Sequence, residues 1–155
     1  MYLSKQSILS AIKAKKIGIT PFDEKHLGEA SYELHLSDQL FDVKPKGKRK
    51  FFDGKALKEK EIHRFELKND SFQFQPKQFI IGKTTETISL SEDYAGIFDG
   101  KASLAQIGLF VHISSTHIDP LTNSTITVEL FNSSDYPILL KENMKIGQVL
   151  FAEVK

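Results

Sequence analysis

Residues 125–135, Thr125-Ile126-Thr127-Val128-Glu129-Leu130-Phe131-Asn132-Ser133-Ser134-Asp135, decide the class of fold. Apolar and polar residues alternate from Ile126 to Leu130, with β-branched side chains at Thr125 to Val128, and a cluster of turn formers then stops the run. That is a strand pattern, and it recurs on both sides. Upstream, Tyr32 to Val43, Phe72 to Phe74, Phe79 to Thr87, Ile97 and Phe98, and Leu109 to Ile113 read as strands, and downstream Ile138 to Leu140 and Gln148 to Val154 do. Gly82, Gly96, Gly100, Gly108, Pro120 and Glu142 to Asn143 punctuate them. Many short strands separated in this way predict an all-β antiparallel sandwich or barrel. The opening differs. Ser4 is placed to cap one amphipathic helix with Ile8, Leu9 and Ile12 on one face and Gly18 just past its end.

The chain has 155 residues, which fits a single domain over 1–155 with a core that needs no disulfide or structural metal. Lys+Arg number 21 and Asp+Glu 20, so no basic face marks a nucleic-acid polymer as partner. The absence of cysteine removes Cys-based zinc sites and thiol nucleophiles. Neither a signal-peptide core nor an apolar run of about 18 residues is present, which predicts a cytoplasmic protein without a membrane partner. The polar stretch from about 44 to 70, with both arginines, Arg49 and Arg64, reads as a solvated hairpin or loop insertion.

Three places could carry chemistry. His112 and His117 do not share a helical face as zinc-binding histidine pairs do, and His26, His35 and His63 are scattered as surface or hydrogen-bonded histidines are. Asp99 to Gly108 allows a short helix from near Ser103, with Lys101 and a hydroxyl beside its first N–H groups; this fits an anion or an ordinary capped turn. Glu129 shares a strand face with Thr127 and Phe131. Facing inward, its carboxylate would be desolvated and suited to moving a proton near neutral pH; facing outward, it would be merely exposed.

Taken together, Leu3-Ser4-x-x-x-Ile8, Ile19-x-Pro21-Phe22, Ala30-Ser31-Tyr32-Glu33-Leu34, Gly100-Lys101-Ala102-Ser103-Leu104-Ala105, Ile118-Asp119-Pro120, Ile126-Thr127-Val128-Glu129-Leu130 and Met144-Lys145-Ile146-Gly147-Gln148 resemble the dCTP deaminase family of the dUTPase-like superfamily. The resemblance implies a distorted β-barrel or jelly roll, a homotrimer with sites between subunits, and a deoxynucleotide substrate whose phosphates carry Mg²⁺. It implies that Glu129 shuttles the proton in a deamination without zinc, and that Asp119 matches the aspartate which positions water in the dUTPase branch. Around the nucleotide it places Lys101, Ser103, Gln106, Ser115, His117 and Gln148, with no protein metal ligand.

Several positions depart from that pattern. Ala102 stands for a serine, Gln106 for an arginine, Leu121 for a glycine that shapes the turn toward Glu129, and Glu33 for an aspartate. Each lost charge-assisted contact costs about 1.5–3 kcal/mol. The chain ends at Lys155, where the resemblance implies an arm that closes over the nucleotide; a site without one is expected to stay more solvated. The readings are a dCTP deaminase, a dUTPase or an enzyme of both activities, and an inactive nucleotide-binding or regulatory homologue.

Overall fold

The structure, a computed structural model, describes residues 1–48, 50, 52, 60–65 and 70–155. Helix α1 (Lys5–Lys13) is followed by β1 (Ile17–Thr20), a 3-10 turn (Glu24–His26), β2 (Tyr32–Pro45), β3 (Lys60–Arg64), β4 (Ser71–Phe74), β5 (Phe79–Leu90) and β6 (Tyr94–Gly100). A one-turn helix α2 (Ala102–Ala105) then leads to β7 (Leu109–Phe110), β8 (His117–Ile118), β9 (Asn123–Asn132), β10 (Ile138–Lys141) and β11 (Lys145–Glu153). The main sheet runs β7-β9-β5-β2-β11-β6-β8, with β1 paired to β5 and β3 to β2; β10 and β4 form a second sheet. The main sheet curls into a half-barrel, a mostly β architecture with one N-terminal helix, in keeping with the all-β class that the strand pattern predicts. No helix among the described residues is long and apolar enough to cross a membrane.

Period-2 alternation builds the core. Tyr32, Leu34 and Leu36 of β2, Ile80 and Ile88 of β5, Val128 and Leu130 of β9, and Val149 and Phe151 of β11 are buried. Each such side chain contributes about 1.5–3 kcal/mol by leaving water. Ile8 and Ala11 attach α1 to this core. Asn132 is buried yet satisfied, its amide donating to the carbonyls of Phe74 (3.1 Å) and Tyr136 (2.8 Å), which ties β9 to the small sheet.

Expectations about where elements end change at this level. Ser4 does cap α1 through the Ser7 N–H, but the helix ends before Gly18, which lies inside β1. Lys15 takes the left-handed position at φ 57°, with Lys15 N–H donating to Ile12 and Lys16 N–H to Ala11, so a lysine closes the cap that glycine usually closes. The strand expected over 109–113 keeps only Leu109–Phe110, because the residues beyond leave the sheet to reach β8. Leu121 adopts φ 63°, the region glycine favours, and accepts the backbone strain. In the polar stretch, β3 pairs with Phe41–Pro45 as a hairpin and Arg64 bonds Asp38 at 2.5 Å. Arg49, Phe51 and residues 53–59 and 66–69 of that expected insertion lie outside the described residues.

Candidate active site

β7 and β8 stand at opposite ends of the strand order, so residues 111–116 between them must span the open side of the curled sheet. Thr116 anchors that span by accepting the Phe98 N–H at 2.8 Å. His112, within it, sets its ring edge-on to Phe98 at 5.5 Å and brings Nδ1 to 2.9 Å from Oε2 of Glu129. The imidazole is nearly buried at 7% exposure, while the Glu129 side chain is 28% exposed. The close approach is not aligned as a hydrogen bond, and neither His112 nitrogen has a hydrogen-bond partner among the described residues. The Ile113 N–H donates to Oε2 at 3.4 Å, at the long limit of such a bond. Glu129 therefore lies on the outer face with exposed Thr127, opposite buried Val128 and Leu130. Of the two orientations open from the pattern, the outward one is adopted, and His112 rather than core burial crowds the carboxylate.

The phosphate-type turn follows β6. Lys101 takes the N-cap position of α2 with its side chain free of any cap hydrogen bond, and its N–H donates to Ile146 at 2.9 Å. Ser103 and Gln106 are exposed on α2. A single helical turn leaves its first N–H groups without ladder partners. Gly147 is dictated by space: a Cβ there would stand 2.5 Å from the Asp99 carbonyl oxygen and 2.6 Å from the Phe98 ring. That close approach puts Gln148 opposite Asp99, where its amide donates to Asp99 at 3.2 Å and accepts from Ser31 at 2.8 Å. Asp119 and His117 pair at 3.2 Å and are exposed at 83% and 58%. Ser115 is exposed at φ 65°.

Within one copy these residues form separate groups: Glu129 with His112 and Ile113, Gln148 with Ser31 and Asp99, and His117 with Asp119. No hydrogen bond or ion pair among the described residues joins one group to another. Glu33, at the position of the altered aspartate, is paired with Lys145. Sequence reasoning weighed His112 only as a metal partner of His117; a histidine inside an apolar alternation, Val111 to Ile113, was the signal for a buried imidazole. Ser31 stood out only as part of the Ala30 to Leu34 stretch, with no role of its own.

A dCTP deaminase-like family model matches residues 2–154. A "dCTP deaminase, dUMP-forming" of Corynebacterium kroppenstedtii is 38% identical over 150 residues, 96% of this chain and 80% of the relative. Another of the same description from Tropheryma whipplei is 37% identical over 155 residues, 99% of this chain and 79% of the relative. The 2′-deoxycytidine 5′-triphosphate deaminase of Agrobacterium tumefaciens shares the fold at a TM-score of 0.73 and 16% identity; this chain is covered over 99% and spans 48% of that chain. On the match along nearly its whole length and the identity to these relatives, the chain belongs to the dCTP deaminase-like family.

Proposed function

We propose that this protein deaminates dCTP hydrolytically and carries the product on to dUMP. The observation that carries the reading is the pairing of a partly exposed Glu129 with the buried, unpartnered His112, in a chain 38% identical to a dUMP-forming dCTP deaminase. A carboxylate that faces solvent on one side and an imidazole on the other can accept a proton and return it.

In the proposed chemistry Glu129 takes a proton from water as the oxygen adds to C4 of cytosine and delivers it to N3. It then takes the remaining proton from the new C4 hydroxyl and gives it to the exocyclic nitrogen, so that the C4–O double bond forms as the C4–N4 bond breaks and ammonia leaves; dCTP and water become dUTP and ammonia. A second water, oriented by Asp119, attacks the α-phosphorus, and the bond to the bridging oxygen breaks to give dUMP and pyrophosphate. The reading uses no catalytic zinc, since the cysteine-free sequence cannot supply the cysteine ligands of the zinc deaminases. Lys101, Ser103, the first N–H groups of α2 and Gln148 are donors, so this turn suits phosphate oxygens rather than a cation. Mg²⁺ would enter held by the phosphates and would neutralise their charge.

A homotrimer completes the site on this reading. Phe79, Phe131 and Phe110 are cross-strand neighbours on the outer face, two of them at 42% and 51% exposure, and Glu129 lies two residues from Phe131. An apolar patch beside the carboxylate supports coverage by another copy, which would bring its phosphate turn toward Glu129.

The test is incubation of dCTP with the protein and Mg²⁺, followed by chromatography of nucleotides and assay of ammonia and pyrophosphate. The reading expects dUMP, pyrophosphate and ammonia in equal amounts. Accumulating dUTP would remove the second step, and no turnover by folded protein would favour the nucleotide-binding homologue, for which Ala102 and the exposed Gln106 are the supporting observations. Sedimentation of Phe110→Asp is expected to show dissociated copies that have lost deamination.

A further inference from the structure

Away from the nucleotide residues, three side chains converge where the chain leaving β1 folds back over β2 and β5. His35 places Nδ1 2.6 Å from Oε1 of Glu86, and its backbone N–H donates to Oε2 at 2.9 Å. Their side chains are 12% and 4% exposed. His26, closing the 3-10 turn, lays its ring against His35 with centroids 4.4 Å apart. One ligand atom from each of the three lies within 4.8 Å of the other two. The turn that delivers His26 is held in place: Tyr32 stacks on Phe22 at 5.5 Å and its hydroxyl accepts the Asp23 N–H at 2.9 Å.

A buried hydrogen-bonded pair would account for His35 and Glu86 alone. It does not engage the polar atoms of His26, whose imidazole makes no hydrogen bond among the described residues while its ring packs edge-on against Tyr32 at 6.2 Å and beside His35. Metal bonds of about 2.0–2.2 Å set the nitrogen and oxygen ligands of a tetrahedral ion roughly 3.3–3.6 Å apart. The cluster spans that separation, and the 2.6 Å contact between His35 and Glu86 needs to open by about 1 Å or less. We propose that His26, His35 and Glu86 bind one divalent transition-metal ion, zinc being the expected species, through two imidazole nitrogens and one carboxylate oxygen. Two nitrogens and one oxygen suit zinc, and the partial exposure of His26 leaves an entry path and room for water as the remaining ligand. The ion acts as a clip that fastens the turn after β1 to two central strands. It shares no ligand with the nucleotide site, so its presence is independent of the deamination chemistry.

The test strips the full-length chain with a chelator and titrates it with Zn²⁺ by calorimetry, with Tm measured before and after. His26→Ala is compared with the double variant His63→Ala/His117→Ala, which removes exposed histidines able to gather zinc nonspecifically. Wild type and the double variant are expected to take up one ion per chain and gain Tm, since an ion bound only by the folded state stabilises it. His26→Ala is expected to keep the metal-free Tm and lose the stoichiometric uptake. Co²⁺ gives a second readout, with visible bands of a low-coordinate site in wild type and none in His26→Ala. Wild type without stoichiometric uptake, uptake undiminished in His26→Ala, or uptake abolished in the double variant overturns the proposal.

Discussion

Two histidine–glutamate pairs, His35 with Glu86 and His112 with Glu129, use the same side chains at similar separations, 2.6 Å and 2.9 Å, in opposite circumstances. His35 and Glu86 sit on adjacent strands of one sheet, and the carboxylate is fully engaged by the ring and backbone N–H of one residue. His112 reaches Glu129 from a chain segment that crosses the open side of the barrel, without aligned hydrogen bonds, and the carboxylate stays partly in solvent. A satisfied buried pair stabilises a fold. An unsatisfied one at a surface has capacity left for a substrate, and leaving such groups unpaired costs stability that function must justify.

The largest effect is expected at Glu129. Glu129→Gln should lower dCTP deamination by roughly 10²–10⁴-fold, the range of a lost acid–base group, with the urea unfolding midpoint unchanged. Activity retained in that variant would erase the distinction between the pairs. Glu86→Ala is the mirror experiment. It strands the buried His35 donors and should cost about 2–3 kcal/mol in urea unfolding, far more than Glu129→Gln does. His112→Phe preserves the packing on Phe98 while removing two buried nitrogens; about tenfold lower kcat at unchanged KM for dCTP is expected, with stability held or raised.

Smaller shifts sharpen the picture. Burial, above all, raises the Tyr32 phenol above its ordinary value near 10, with Glu86 among the negative charges adding to it. The folded state thus holds that proton more tightly than the unfolded one. The resulting stability is complete below about pH 10 and is lost as pH rises through the folded value. Ultraviolet titration should show one late phenol that Tyr32→Phe removes. Leu121→Gly relieves a positive φ at an exposed turn and should raise stability by about 1 kcal/mol or less in thermal unfolding.

Alternation along β2, β5 and β9 made the all-β class legible, because a side chain's face in a strand depends only on its position in the local repeat. Ser4 was legible for the same local reason, as a hydroxyl one residue before a helix. Lys101, Ser103 and Glu129 could be picked out as candidates from local pattern, whereas Asp119 and Gln148 entered only through the resemblance to a family. The sequence alone could not say that Lys15 would close the first helix, nor that Leu121 would hold a glycine conformation, because surrounding structure decides whether such strain is tolerated. Nor could it assign His112 to Glu129 or gather His26, His35 and Glu86. Those contacts arise only when the sheet curls and a loop folds back, so residues distant in the chain meet by tertiary packing, which no local periodicity encodes.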